Sequence, residues 1–363
     1  MAKGDEKKAP LFVAVALAIY VVLTAQVGSA AAPGTGSYAG LEAPVRQVVQ
    51  KYMDINRGLG AGLIRLVFHD CFVRGCDGSV LLDSTPKNTT SNAPLTLAGK
   101  TEKASPSNGG LRGLEVIDAI RLRLAEKDIG VNVSCADAVV FAAREATYIL
   151  SNNTIKYEVD GPGRKDGVVS SAEDPGKHLP NPTDNFQQLL QSFMAKGFNL
   201  VELVALSGAH SVGIANLTSV IHRFGTPIIH GEMNKTYGAV VAAEGRKHSG
   251  VIENNVRDFD DSSRKLAGYQ ANGVVDLAAV GYLDNSYYNA NLQNMVLFKS
   301  DWELTQNGTA EEHMKSYKKK ASLWNTAFAN AMTKLSKMVE SKDPLYEIGS
   351  RRTCNVTNQM SYP

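Results

Sequence analysis

Arg65 and His69 stand four residues apart in the stretch "IRLVFHDCFVRGCDGS", residues 64–79. The surrounding "LGAGLIRLVFHD" reads as a helix, which puts the two side chains on one face, one turn apart. A guanidinium that close to an imidazole disfavours the imidazolium, so His69 stays neutral at ordinary pH. A neutral histidine beside a permanent positive charge is a general base paired with an anion stabiliser. Taken alone, Arg-x-x-x-His is an ordinary surface pair; the neighbours alter that reading. Asp70, Asp77 and Ser79 supply hard oxygens, and the loop between them can add main-chain carbonyls. That donor set suits calcium rather than zinc or copper, although the spacing is not that of an EF-hand. Cys71 and Cys76 could close a small loop that holds these oxygens in place.

Elements of helical period must position these groups. "GLEVIDAIRLRLAEK" brings Leu114, Ile117, Ile120, Leu122 and Leu124 near one stripe. "DNFQQLLQSFMAKGF" starts with Asp184 as N-cap and stops at Gly197. "LVELVALSGAH" is apolar up to a break at Gly208, and "ASLWNTAFANAMTKLSKM" repeats apolar residues at three and four from Leu323 to Leu335. Strand-like runs are few and short, so the fold class is mostly α. Residues 83–110, 160–185 and 225–275 read as loops, and no internal repeat or sharp domain boundary is visible after residue 31.

The 363 residues, 44% hydrophobic and 20% charged, suit a globular protein with a sizeable core. A net charge of +2 and the lack of a long basic run speak against a nucleic-acid surface. Lys3, Lys7 and Lys8 precede an apolar run from Leu11 to Ala25, followed by Gly28, Ser29, Ala30 and Ala31. This is the layout of a secretory signal over residues 1–30, although the run approaches the length of a retained anchor. No later stretch is long and apolar enough to cross a membrane, and residues 31–363 are expected to form the working domain. Entry into the secretory path would allow the four cysteines to be oxidised, with the pairing open among three possibilities. Sequons at Asn88, Asn132, Asn152, Asn216, Asn234, Asn307 and Asn355 fit a glycoprotein. Asn132 is expected to be buried beside its apolar neighbours.

The opening stretch resembles the distal-haem motif of the secretory plant peroxidases, called class III. The resemblance continues in order from about residue 42 through "TEK" at 101–103, "PSNGGLRGLEVID" at 106–118 and "VSCADAVVFAAREA" at 133–146. "GRKDG" at 163–167, "HLPNP" at 178–182 and "LVALSGAHSVG" at 203–213 follow, then "LDNSYYNANL" at 283–292, "SDWEL" at 300–304 and "RRTCNVTN" at 351–358. The order and spacing of these pieces are highly specific.

The resemblance implies an all-helical peroxidase fold with haem b between a distal and a proximal half. His69 then matches the distal base, Arg65 the distal arginine and Phe68 the aromatic residue above the haem. Asn108 matches the asparagine that accepts a hydrogen bond from the distal histidine, and Glu102 the acid that links this network to the calcium site. His210 in "SGAHS" matches the axial ligand of the iron, and Asp301 its carboxylate partner, which gives the imidazole imidazolate character. The distal calcium set matches in full, with Asp70, Asp77 and Ser79 acting through side chains and Val73 and Gly75 through carbonyls. The proximal calcium set, Ser211, Asp276, Tyr282 and Asp284, is incomplete because Ala279 stands where the family uses threonine. That calcium is expected to be weak or absent. Family disulfides match Cys71–Cys76 and Cys135–Cys354. Ala43, Ile129 and Leu217 replace cysteines of two further bridges, each of which forfeits about 2–4 kcal/mol. Asp137 and Arg164 match a structural ion pair. Pro180 matches the proline near the exposed haem edge where small aromatics dock, and Asn181 beside it could alter that preference. Tyr157 replaces a family tryptophan.

The function implied is reduction of hydrogen peroxide to water by small phenolic donors, each giving one electron. It places the chain in hydrogen peroxide catabolism and the response to oxidative stress. The expected protein is a secreted monomer in the extracellular space or cell wall, or alternatively in the vacuole. An intracellular relative with ascorbate or a protein donor is disfavoured, since Val275 stands where protein-donor members carry a redox tryptophan. A binding module that kept the fold without catalysis would be marked by loss of Arg65, His69 or His210, and all three are present.

Overall fold

The computed structural model describes residues 37–85, 99–224, 231–247, 251–253, 281–339 and 351–358. From Ser37 onward the described residues close into one compact unit. Helix α1 (Glu42–Ile55) buries Val45, Val49 and Met53, four residues apart along one stripe. Helix α2 (Gly58–Arg74) starts where Asn56 Oδ1 accepts a hydrogen bond from the Gly58 N–H at 3.0 Å, and it is buried nearly all round. It stops at Gly75, whose φ of 84° is open to glycine without strain. Helix α3 (Leu114–Ala125) buries Val116, Ile117, Ile120 and Leu124, but Leu122 lies outside the predicted stripe and is 72% exposed. Helix α4 (Cys135–Leu150) is capped by Ser134, whose hydroxyl accepts from the Asp137 N–H at 2.9 Å. The α2–α4 pair forms the centre of the fold, with α1 and α3 packed against α4.

Helix α5 (Asp174–His178) leads into α6 (Phe186–Ala195) and α7 (Leu200–Ser207), both opened by capping boxes, Asn185 with Gln188 and Asn199 with Glu202. The cap of α6 is therefore Asn185. Asp184 instead accepts from the Asn181 N–H at 2.8 Å, tightening the preceding turn. After α7 a 3₁₀ turn, Gly208–Ser211, carries His210. Strand β1 (Ile214–Asn216) pairs antiparallel with β2 (Val251–Glu253), Ala215 opposite Ile252, so the mostly helical fold holds one short ribbon. Between them, helix α8 (Lys235–Lys247) stands where the sequence reads as loop. Its Tyr237 and Val241, four apart, join a small second core with Met233, Met295 and Leu297. Helices α9 (Ser286–Asn291), α10 (Lys299–Glu303), α11 (Gly308–Lys319) and α12 (Ala321–Leu335) complete the described chain. Leu323 in α12 is 45% exposed; Trp324, Phe328, Ala331, Met332 and Leu335 make its buried stripe.

Both disulfides, Cys71–Cys76 and Cys135–Cys354, are formed. Asn132 is exposed, in correction of the expectation that it is buried, because the chain leaves the core there before the Ser134 cap. Residues 1–30, Asn88, Val275, Asp276 and Ala279 lie outside the described residues. Among the described residues no single helix is long and apolar enough to cross a membrane.

A buried charge network fastens α1 to α4. Glu145 accepts from Arg144 Nη1 at 2.5 Å, Arg46 Nε at 2.7 Å and the Tyr38 hydroxyl at 2.8 Å. Arg144 Nη2 also reaches Glu42 at 2.8 Å. Removing Glu145 leaves the buried Arg144 with Glu42 as its single carboxylate partner, so Glu145→Ala is expected to cost about 3 kcal/mol, the low end for a broken buried pair. Denaturant titration checks this; a change under 1 kcal/mol by the ordinary surface-pair standard would mean that the network carries little.

Candidate active site

The tautomer of His69 follows from its partners. The Asn108 side-chain amide donates from Nδ2 to the Glu102 carbonyl at 2.8 Å. A carbonyl only accepts, so Asn108 Oδ1 must face the other way, and it lies 2.6 Å from His69 Nδ1. Nδ1 therefore carries the proton and Nε2 the lone pair, the arrangement a general base needs. His69 is buried on α2, and its pKa is lowered to about 3, first by desolvation and second by Arg65. The sequence reading of a neutral His69 thus has a larger cause than the guanidinium alone. Arg65 donates from Nη1 to the Gly109 carbonyl at 3.1 Å and from Nη2 to Ser107 O at 3.0 Å. Burial, and next Arg112, lower its pKa to about 10, which leaves it cationic at neutral pH. Phe68 stacks on Phe72 with centroids 4.7 Å apart, and Phe72 packs on Phe193 and Phe198.

The same logic holds at His210. Nδ1 lies 2.9 and 3.1 Å from the two carboxylate oxygens of buried Asp301. A carboxylate accepts, so Nδ1–H donates, and in the neutral ring Nε2 is the nitrogen that holds the lone pair. The ring remains 42% exposed, so it faces open space and not packed core. Asp301 is itself held, accepting from the Tyr287 hydroxyl at 2.8 Å on Oδ1 and from Asn291 Nδ2 at 2.7 Å on its carbonyl. Tyr287 and Asn291 are supporting residues that the sequence reading quoted within a motif without assigning them a role. They lie four apart on α9, a spacing that could have shown a shared face. A neutral imidazole with Nδ1 pinned by a carboxylate is a donor suited to a haem iron.

The loop after α2 gathers acids whose burial Arg351 and Arg74 do not offset. Asp70, Asp77 and Glu102 are buried, and burial raises the pKa of each. Asp77 further raises Asp70 and Glu102. Asp70 Oδ1, Ser79 Oγ and both Glu102 carboxylate oxygens lack a hydrogen bond of normal geometry, although the Ser79 hydroxyl lies close enough to lower Asp77 and Glu102. Such orphaned oxygens fit a hard divalent cation, and calcium suits them best. The loop is held from outside. Gly78, at φ 65°, donates its N–H to Asp70 Oδ2 at 3.0 Å, and the Gly167 N–H reaches the Asp77 carbonyl at 2.8 Å. Buried Arg351 donates to the carbonyls of Gly78 at 2.7 Å and Gly167 at 2.5 Å. The carbonyl of Val73 accepts from Lys196 Nζ at 2.9 Å, a partner the sequence does not suggest.

Elsewhere the predicted residues gather less completely. Ser211 Oγ accepts from the Asp284 N–H at 3.3 Å, so these two meet. The Tyr282 ring is 52% exposed under the Arg57 guanidinium, and Asp276 is outside the described residues. Among the described residues, Ser211 and Asp284 are the members of this set that meet. Pro180 is half-buried in the loop after α5. Arg164 Nη1 donates to Asp137 at 2.9 Å.

Comparison with known proteins agrees with this geometry. The profile of the family described as Peroxidase matches residues 45–320. Peroxidase 5 of Vitis vinifera is 36% identical over 299 residues, 81% of this chain and 81% of that protein. Peroxidase 2 of Zea mays is 35% identical over 298 residues, 82% and 80% of the two chains. Peroxidase 64 of Arabidopsis thaliana is 35% identical over 296 residues, 80% and 83%.

Two pH effects follow. A base must be neutral, so the rate of the peroxide step is expected to hold steady down the acid range and fall as pH drops through about 3. Because the folded pKa lies below the unfolded 6.5, the stability His69 contributes is full above 6.5 and is lost as pH falls towards 3. Stopped-flow rates against pH check the first, and an acid limb near 6.5 would contradict it. The acid loop has the opposite sign. Asp77 is pushed up from 3.8 to about 6, so without a cation stability is lost as pH rises through that window. Added calcium is expected to abolish the loss, read as melting temperature against pH with and without a chelator.

Proposed function

The chain belongs to the plant class III peroxidase family, and from that premise we propose how its residues carry out peroxide reduction. It is an oxidoreductase, a haem peroxidase acting on hydrogen peroxide and a reducing donor. The observation that carries the residue assignment is the pair of histidines, His69 and His210, each with Nδ1 tied to an acceptor and Nε2 left with its lone pair. His210 would hold the haem iron, and Asp70, Asp77, Ser79 and Glu102 would line the distal calcium site, with Val73 and Gly75 adding carbonyls. When bound, the haem supplies the centre that receives peroxide and stores its two oxidising equivalents. His69 Nε2 accepts a proton from one oxygen of hydrogen peroxide and returns it to the other, which leaves as water. Arg65 stabilises the negative charge that develops on the leaving oxygen as the O–O bond lengthens. Asn108 keeps Nε2 the basic nitrogen throughout. Two donor molecules then each return one electron and one proton, so one peroxide and two phenols give two waters and two donor radicals.

The donors are small phenols that dock by Pro180, and the protein is a monomer. Residues 1–30 serve as a secretory signal, with residues 31–363 as the mature enzyme in the extracellular space or cell wall, acting in hydrogen peroxide catabolism under oxidative stress. The layout of Lys3 to Ala31 and the oxidised cysteine pairs support that placement.

The chain lacking residues 1–30, refolded with haem and calcium, is expected to show a Soret band that shifts with one equivalent of hydrogen peroxide and returns on adding a phenol. His69→Leu is expected to slow the shift by about 10²–10⁴-fold. A haem band indifferent to peroxide in the unaltered chain would overturn the catalytic reading.

A further inference from the structure

Ser170 lies outside every group assigned so far. It is fully buried, and its hydroxyl uses both of its capacities. The oxygen accepts from the Glu102 N–H at 2.9 Å, and the proton is donated to the Ser79 carbonyl at 3.0 Å. One small side chain thus spans two main-chain segments. Ser79 belongs to the acid loop, where its own hydroxyl faces Asp77 and Glu102. Glu102 belongs to the turn whose carbonyl orients Asn108. The hydrogen bonds run without a gap from Ser79 O through Ser170 Oγ, the Glu102 backbone and the Asn108 amide to His69 Nδ1. The link between loop and base therefore passes through the Glu102 main chain, whereas its carboxylate makes no hydrogen bond of normal geometry.

We propose that Ser170 is a positioning residue for the peroxide step: it sets where the Glu102 carbonyl stands, hence which way Asn108 faces, and so transmits the state of the acid loop to His69. The proposal rests on His69 being the base. The segment that carries Ser170 is also joined to the Glu102 turn by the Ala172 N–H to the Lys100 carbonyl at 2.8 Å, and to the acid loop by the Gly167 N–H to the Asp77 carbonyl at 2.8 Å, so removing the hydroxyl alone does not undock them. What it removes is the strut that fixes the height of Glu102 against the loop. Direct outer partners of a metal ligand change activity about 10–100-fold, and Ser170, a step further from His69, is expected at the lower end of that range.

The test compares the haem- and calcium-loaded full chain with Ser170→Ala, and with Ser170→Cys, whose sulfur is a larger atom and a weaker donor and acceptor. Histidine labelled with ¹⁵N, observed in the diamagnetic ferrous carbonyl form, reports the Nδ1–H bond of His69 directly. Ser170→Ala is expected to move the His69 Nδ1 resonance and slow the peroxide step about tenfold. The rate of donor oxidation should stay unchanged, and Ser170→Cys should fall between. Removing calcium is expected to shift the His69 resonance in the unaltered chain and far less in Ser170→Ala. If Ser170→Ala does not fold, the cysteine variant carries the same comparison. An unmoved His69 signal overturns the proposal, even if the rate falls, since the role is then structural only. If instead His69→Leu leaves the peroxide step intact, the base assignment fails, and the resonance in Ser170→Ala still decides whether Ser170 orders that histidine.

Discussion

The Asn108 amide is caught between a carbonyl that can only accept and an imidazole that must then donate. That single constraint selects the nitrogen of His69 that keeps its lone pair. It needs no charge and survives burial, which is why a histidine with so low a pKa can still be an ordered base. Asp301 imposes the same outcome on His210 by charge instead of by an amide. The two partners suit different tasks. A neutral amide leaves the distal imidazole free to gain and lose a proton, whereas a carboxylate makes the proximal imidazole a stronger electron donor.

The acid loop shows how much structure such positioning requires. Burying three carboxylates raises all their pKa values, and the protein's own cations do not reverse it. The loop is instead clamped by parts remote in sequence. Gly167 holds Asp77 from the segment after α4, Arg351 reaches in from beside the Cys135–Cys354 bridge, and Ser170 braces it against the Glu102 turn. Helix α2 carries Arg65 and His69 on its length and the loop at its end, so one element fixes the place of both. The motifs "GRKDG" and "RRTCNVTN", distant in the chain, meet here around a single set of carbonyls.

Helices α2, α3, α6, α7 and α12 were legible in the sequence, α3 and α12 through apolar residues that repeat at three and four. The reading failed where period and environment part. Leu122 and Leu323 are apolar but lie off the buried stripe, and Asn132 leaves the core a step before its helix begins. Helix α8 was missed because Tyr237 and Val241 sit among glycines and charges that mask their spacing, and three-residue strands carry no period at all.

At the candidate site, the sequence by itself determined the residue types, the one-turn spacing of Arg65 and His69, and the clustering of hard oxygens after α2. Those are local properties, set by the pitch of a helix and the chemistry of side chains. Only the tertiary structure decided the rest: that burial outweighs Arg65 in holding His69 neutral, that Tyr287 and Asn291 steady Asp301, and that Ser170 bridges the main chains of Ser79 and Glu102. Desolvation depends on what packs around a group, and a hydrogen bond between residues 79 and 170 depends on where two distant segments cross. Neither quantity is a function of sequence spacing.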